Sequence, residues 1–368
     1  MKALAFTPRV DKSLRIIERD EPKLTSPDEV KLQVLQVGIC GTDREEASGM
    51  RADAPAGRSE LVIGHEMFGR VVETGTGVQA VRPGDYATFT VRRGCHRCDS
   101  CGAGRSDMCQ TGDYTERGIK AADGYQTEFV VDRQDYVIKI PDALTSVGVL
   151  SEPLSIVEKA IDEAATLQAA RLPYIKEPSE WFAKGQALVA GLGPVGLLAA
   201  MALRIRGARV IGLDVVDEKS PRPELLKRLG GIYVDARQTQ PRDLPAAFGQ
   251  IDIVFEATGV APLEFSLFST MGTNSVYVVT GIPGGSNLIN IDGATLMRQL
   301  VLANQLVIGS VNAARKHFQM AVSDMEKAQQ LWGRLLEELI THRFEYTQFD
   351  EALLHHDPGE IKAVIEWS

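Results

Sequence analysis

The sequence has no apolar run long enough to span a bilayer, and its opening, MKALAFTPRV, holds none long enough for a secretory signal. It has no excess of positive charge: 40 Lys and Arg stand against 49 Asp and Glu, for a net charge of -9 and a pI near 5.3. That balance lacks the electrostatic footprint of a nucleic-acid binder, and no dense basic stripe interrupts it. There is no internal repeat and no low-complexity tract. Cysteine is scarce, at five in 368 residues. Clustered free thiols in a chain with no membrane span fit a reducing, cytoplasmic setting, which is the expected localisation.

What is present is an ordinary globular composition, 44% hydrophobic and 24% charged, over a length that suggests two domains. The N-terminal part consists of short β-type runs parted by turns: VKLQVLQV, GRVVETG, YATFTV, EFVVD and YVIKI, with Pro83-Gly84-Asp85 as one turn. From Pro153 to Ala170 apolar residues recur at three- and four-residue steps, the period of a helix. Pro173, Pro178 and Trp181 then mark a linker. Beyond it the spacing predicts strand 186–190, helix 194–207, strand 208–214 and helix 223–230, then buried strands in IDIVFEATG, SVYVVTGIP and QLVIGSV. Such alternation implies right-handed crossovers and a parallel sheet. HFQMAVSDMEKAQQLWGRLLEELI reads as long helical text, and IKAVIEW as a closing strand.

Four of the five cysteines, Cys95, Cys98, Cys101 and Cys109, are spaced C-x2-C-x2-C-x7-C, with Gly94, Gly102 and Gly104 between and beside them. Four thiolates close the tetrahedral shell that zinc prefers. Reduced, unliganded thiols or a pair of disulfides are the plainer readings of such a cluster. A zinc saturated by four thiolates has no position left for a substrate, so the expected role is to brace a lobe.

Gly191-Leu192-Gly193-Pro194-Val195-Gly196 is a GxGxxG that follows a strand and opens a helix. The first glycine permits the tight turn, the second lets a pyrophosphate approach the backbone, and the third lets helix and sheet pack closely. The helix N-terminus then offers N–H groups to the phosphates. Asp214 ends the next strand, 18 residues after Gly196, where a carboxylate can bond the ribose hydroxyls of NAD. Val215 and Val216 follow, so no arginine stands there to neutralise a 2′-phosphate, although Arg222 could swing back towards one. The local chemistry favours NAD over NADP.

Cys40 lies apart from the quartet, in GICGTD; His65 and Glu66 come in GHE; Glu152-Pro153 opens the long helix. Cys, His and a carboxylate make a three-ligand zinc set with one position open for chemistry. Taken singly, each of these residues reads more simply as packing or turn capping.

The order GICGTD, GHE, cysteine quartet and GLGPVG resembles the zinc-dependent medium-chain dehydrogenases. Within them the chain is similar to the archaeal-type glucose dehydrogenases nearly end to end, through TGDYTERGI (111–119), EPLSIVEK (152–159), YVDARQ (233–238) and GSVN (309–312). The resemblance implies an α/β fold: a GroES-like, mostly β catalytic domain over 1–155 and 315–368, with its zinc lobe at 94–110, and a doubly wound Rossmann domain over 156–314. It implies a catalytic zinc on Cys40, His65 and a carboxylate, with Glu66 and Glu152 at the family's other ligand positions. It implies sugar contacts from Thr42, Glu116, Glu152, Glu158 and Asn312. It also implies a dinucleotide site completed by Thr258, Gly281, Ile282, Ser310, Val311 and Asn312. Relatives that accept NADP carry adjacent arginines where this chain has Asp214-Val215-Val216, so the resemblance leans towards NADP or dual use and the residues towards NAD.

The expected reaction is oxidation of an aldose at C1 to a lactone. Zinc would polarise the C1 oxygen, and the proton would leave through Thr42 or Glu66. Carboxylates and amides suit a sugar's ring of hydroxyls, whereas a simple alcohol needs an apolar pocket. A polyol or other secondary-alcohol dehydrogenase is the nearest alternative, and a non-catalytic dinucleotide-binding protein a more distant one. Two zinc ions per subunit, a sugar as the small-molecule partner, and a homo-oligomer (dimer or tetramer) complete the expectation.

Overall fold

The computed structural model describes residues 1–284 and 288–367. The chain divides into two compact units: Met1–Ser155 with Asn312–Gln329 and Arg334–Ser368, and Ile156–Val311 with Gln330–Gly333. The chain thus returns to the first unit at Asn312, against an expected return at 315.

In the first unit the long strand Glu29–Ile39 is central. Its seven-stranded sheet runs Val137–Ile140, Tyr86–Phe89, Glu66–Thr74, Glu29–Ile39, Lys362–Glu366, Ile340–Glu345, with Phe129–Arg133 also paired to Glu29–Ile39. Leu4, Phe6, Leu32, Met67, Phe89 and Tyr125 fill the core beneath it. The register matters for the site. Gly38 lies opposite Glu66, and Ile39 opposite Ala363, which brings Glu66 and Lys362 to the same end of the strand. A small sheet of Arg92–Arg93, Thr115–Arg117 and Ala121–Ala122 flanks the cysteine segment.

The second unit is a six-stranded parallel sheet ordered Ile232–Asp235, Arg209–Asp214, Gln186–Ala190, Ile251–Glu256, Met271–Val279, Leu306–Gly309. Every residue of Gln186–Ala190 is buried, as a strand covered on both faces requires. The order reverses between this strand and Ile251–Glu256, which puts the switch point at the glycine turn.

Three elements differ from the sequence reading. QLVIGSV is not a buried strand: Leu306–Gly309 is the sheet's edge and alternates between half-buried and exposed. The long helix Arg315–Trp332 stops at Gly333, which takes φ +60°, a conformation that favours glycine. A short 3-10 stretch, Gly333–Leu339, leads from there into the strand Ile340–Glu345, which lies in parallel register with Lys362–Glu366. The expected linker holds a 3-10 segment, Pro178–Lys184, with Phe182 buried.

Candidate metal centres and dinucleotide site

Cys40 is the N-cap of the short helix Gly41–Ala47. Its Sγ accepts from the Thr42 N–H at 3.2 Å, and Asp43 Oδ2 reaches back to the Cys40 N–H at 2.8 Å. The capping box therefore fixes the thiol's direction. His65 Nε2 stands 3.3 Å from Cys40 Sγ, while its Nδ1 faces Asp43 Oδ1 at 3.2 Å. A carboxylate on one ring nitrogen leaves the other free for a metal. Asp43 thus both caps the turn and orients the histidine.

Glu66 is buried at the start of Glu66–Thr74 and forms an ion pair with the fully buried Lys362. Lys362 Nζ also donates to the Ile39 carbonyl at 2.9 Å. Gly38 makes room for this arrangement, since a Cβ there would lie 2.1 Å from Glu66 Oε2. Lys362 carries no motif of its own in the sequence, and only strand register brings it here.

The donor atoms of Cys40, His65 and Glu66 lie within 4.8 Å of one another. Glu152 is buried at the start of the helix Ser151–Arg171, and its electrostatic neighbours include His65, Glu66, Lys362 and Asp43, but it is not part of that tight group. Burial pushes its carboxyl up to about 8; His65 opposes this and Glu66 adds to it. Burial also pushes the Cys40 thiol up. Burial alone would lower His65, but Asp43 and Cys40 outweigh it and hold the imidazole well above its ordinary value. A buried thiol, imidazole and carboxylate crowded this closely suit a divalent cation, which would displace their protons and neutralise them together.

The Sγ atoms of Cys95, Cys98, Cys101 and Cys109 also converge within 4.8 Å, and all five cysteines of the chain are unbridged. Thr111 and neighbouring backbone groups pull the Cys109 thiol down to about 5, whereas burial pushes Cys101 up to about 12. Gly94 is required beside them, since a Cβ there would sit 2.5 Å from Cys101 Sγ. The donor set fits a closed tetrathiolate site.

Of the expected sugar contacts, Thr42 and Asn312 fall in the first unit with Glu116 and Glu152. Thr42 Oγ1 accepts from Arg51 Nη2 at 3.2 Å. Asn312, at φ +62°, donates through Nδ2 to Glu116 Oε1 at 2.7 Å. Glu158 lies in the second unit, and its buried carboxylate pairs with Arg206 Nη2 at 2.6 Å.

In the second unit Gly191 takes φ +86°, and a Cβ on Gly196 would lie 1.8 Å from the Gly191 carbonyl oxygen. Gly193 caps the helix Pro194–Ile205, and a Cβ on it would meet nothing within 4 Å. The three glycines thus serve turn, close packing and open approach, as a pyrophosphate cradle needs. Val195 lies in that helix's first turn. Asp214 Oδ2 accepts from the Leu192 N–H at 2.7 Å, and Arg222 lies 3.9 Å away. The loops holding Thr258, Gly281, Ile282, Ser310 and Val311 all follow the carboxyl ends of strands. Sequence reasoning missed the buried Glu256, which organises two of them. It accepts from Thr258 N and Oγ1, both at 2.5 Å, and from Gly259 N and Gly281 N, both at 3.0 Å. Its position at a strand end, before Ala257-Thr258-Gly259, was the available signal.

Residues 145–367 match the family described as glucose dehydrogenase C-terminus, and residues 26–142 the alcohol dehydrogenase GroES-like domain. This chain belongs to the glucose dehydrogenase family of zinc-dependent medium-chain dehydrogenases. It is 38% identical over 368 residues to glucose 1-dehydrogenase 2 of Vulcanisaeta moutnovskia, covering 100% of this chain and 99% of that one. Against glucose 1-dehydrogenase of Methanocella arvoryzae it is 35% identical over 367 residues, with the same coverage. Among solved structures, glucose dehydrogenase of Haloferax mediterranei in complex with NADP, Zn and gluconolactone superimposes with a TM-score of 0.89 at 32% identity, covering 100% of this chain and 99% of that one.

Proposed function

We propose that this chain oxidises the anomeric hydroxyl of an aldopyranose, glucose or a close relative, to the aldonolactone, with NAD as the preferred hydride acceptor. The observation that carries the reading is the pairing of Glu116 and Asn312, both buried, in the unit that also holds Cys40, His65 and Glu66. A pocket for a simple alcohol has no use for a carboxylate and an amide held together, whereas a sugar's hydroxyls need both kinds of group. Relatives along the whole chain are glucose 1-dehydrogenases, which supports the substrate class.

A zinc held by Cys40, His65 and Glu66 or Glu152 would supply Lewis-acid chemistry at the substrate oxygen. The chain's own residues do the rest. Glu116 and Asn312 orient the ring, and the hydroxyl proton leaves either to the Glu66 carboxylate or through Thr42, whose Oγ1 accepts from Arg51 and would pass its own proton on to water. As that proton leaves, the C1–O bond becomes a carbonyl and the C1–H pair passes as hydride to nicotinamide. Cys95, Cys98, Cys101 and Cys109 would hold a second zinc, which would brace their lobe. NAD preference rests on Asp214: a carboxylate at the ribose edge repels a 2′-phosphate. The Haloferax relative holds NADP, and Arg222 lies 3.9 Å from Asp214 in this chain.

Assembly into a dimer or tetramer is supported by the open edge strand Leu306–Gly309 and by Val301 and Leu302, about three-quarters exposed on the preceding helix. No helix among the described residues is long and apolar enough to cross a membrane. The five unbridged thiols support a reducing, cytoplasmic setting.

The test is steady-state kinetics on glucose, galactose, xylose and ethanol, each with NAD and with NADP. Aldoses are expected to lead, with the higher kcat/KM on NAD. Ethanol ahead of every aldose ends the sugar reading, and a higher kcat/KM with NADP ends the Asp214 argument.

A further inference from the structure

Arg92 is buried, and each of its three side-chain nitrogens donates. Nη1 gives to the Asp107 carbonyl at 2.7 Å. Asp107 sits in the turn Ser106–Met108, directly before Cys109, so this carbonyl belongs to the cysteine lobe. Nε and Nη2 both give to Glu116 Oε1, at 3.0 and 2.9 Å. Asn312 Nδ2 gives to that same oxygen. The Tyr114 ring covers the guanidinium face, 3.9 Å from Cζ, and Lys120 Nζ lies 3.9 Å from the same ring.

Two features of this arrangement are unusual. First, three donors converge on one carboxylate oxygen, and among the described residues none takes Oε2. A terminal carboxylate torsion is broad and soft when free. Pinning Oε1 from three directions freezes it and gives Oε2 a fixed aim as an acceptor. Second, the group that pins it is itself anchored on the lobe. The Asp107 carbonyl keeps its place because the chain on either side is tied down, by the thiol cluster and by the Arg105–Asp107 ion pair at 2.7 Å. The guanidinium's planar fork can satisfy both partners at once; a lysine ammonium has no such geometry.

We infer that Arg92 is a positioning residue that couples the cysteine lobe to sugar binding: it sets the aim of Glu116 Oε2, so the lobe governs affinity for the sugar as well as holding up the fold. This rests on the reading that Glu116 meets the sugar. The coupling is reciprocal, as linkage requires: what the lobe does for the sugar, the sugar does for the lobe. It also bears on selectivity, since aldose epimers differ in the direction of one hydroxyl and only a fixed acceptor can tell them apart.

The test uses the metal-loaded enzyme and the variants Arg92→Met, Arg92→Lys and Glu116→Gln. Three quantities are measured: KM for glucose and for the dinucleotide, the dissociation constant of gluconolactone by calorimetry, and amide hydrogen exchange across residues 99–109 with and without gluconolactone. Both Arg92 variants are expected to weaken glucose and lactone by roughly tenfold, the scale set by losing a charge-assisted hydrogen bond to a ligand-binding group, with the dinucleotide KM nearly unchanged. Lactone is expected to slow exchange in the wild-type lobe and to lose that effect in both variants. Wild-type sugar affinity in either Arg92 variant overturns the positioning role. Lobe exchange that ignores lactone in the wild type, or responds to it equally in the variants, overturns the coupling. If Glu116→Gln itself binds sugar normally, it is the sugar contact that fails. Should Arg92→Met not fold, Arg92→Lys, which keeps the charge, decides alone.

Discussion

Gly38 shows how much the Cys40–His65–Glu66 cluster depends on a residue with no functional group. Its missing Cβ is the space occupied by Glu66 Oε2 and, at 2.9 Å, by the Lys362 side chain. Gly38→Ala should push Glu66 off Lys362 and away from Cys40 and His65. Overpacking of this kind costs about 1–3 kcal/mol, and here the strain falls on the cluster. The expected result is a kcat at least tenfold lower with a melting temperature only a few degrees down, read by activity assay and thermal scan. Glu46 makes a second case. It is fully buried on the Cys40 helix, and neither carboxylate oxygen finds a hydrogen-bond partner among the described residues. Burial, reinforced by Asp43, pushes it up to about 9. Its folded-state value lies above the unfolded one, so the native state holds a proton that the unfolded chain has released. Stability should therefore fall as pH rises from about 5 to about 9, by up to roughly 1.4 kcal/mol per unit. Glu46→Gln should flatten that slope, measured as melting temperature against pH. Residues in motifs (Cys40, His65, Glu66, the quartet, the three turn glycines) were legible in the sequence because each motif states its own chemistry. Lys362, Arg92, Arg51 and Glu256 were not, since each gains its role from a neighbour distant in the chain or from a loop closed in three dimensions.

At the scale of elements, charge clamps hold strands that are too short to hold themselves. Asp132, on Phe129–Arg133, takes Arg93 Nη2 at 2.7 Å and Nε at 3.1 Å, and it also pairs with Arg117 from Thr115–Arg117. Burial alone would raise its carboxyl, but the two guanidiniums outweigh that and bring it to about 2. The folded-state value lies below the ordinary one of about 3.9, so the clamp contributes fully above that pH and is lost as pH falls from about 4 to about 2. The difference is worth about 2.6 kcal/mol. Asp132→Asn should lose at least that much at neutral pH, because two half-buried arginines are left without their charge partner. It should also show a shallower acid loss than the wild type, tracked by far-UV signal against pH. Elements with a clear period were readable: the helix Pro194–Ile205 and the strands flanking it fell within two residues of expectation. The misreadings have physical causes. Leu306–Gly309 is apolar text at a sheet edge, and apolar composition alone does not say whether a neighbour covers it. The helical text runs on to Ile340, whereas the helix ends at Trp332 and Ile340 opens a strand set by pairing with Lys362–Glu366.

For the molecule as a whole, the proposed function has the two cysteine sites divide structure from chemistry, and the division can be tested by asking what each loss leaves standing. Cys40 caps a helix that also has Asp43 as its reciprocal cap, and Ser is itself a good N-cap. Cys40→Ser should thus keep the melting curve and the dinucleotide affinity, while turnover falls by orders of magnitude because the three-donor set is broken. Cys95 has no such substitute. The lobe around it offers little buried apolar surface: the helix Asp99–Gly102 has no buried residue, and all four thiol residues are only half-buried. Without a metal on all four thiols, the lobe has almost nothing to fold around. Cys95→Ser should lower the melting temperature and open the lobe to proteolysis, with cuts mapping to 94–110. Through Arg92 it should also weaken sugar binding while leaving the catalytic donors in place. Metal analysis separates the cases, since each variant should lose one ion per chain and keep the other. An equal loss of fold in Cys40→Ser and Cys95→Ser would mean that both sites are structural, and the chemistry would then have to be sought away from Cys40.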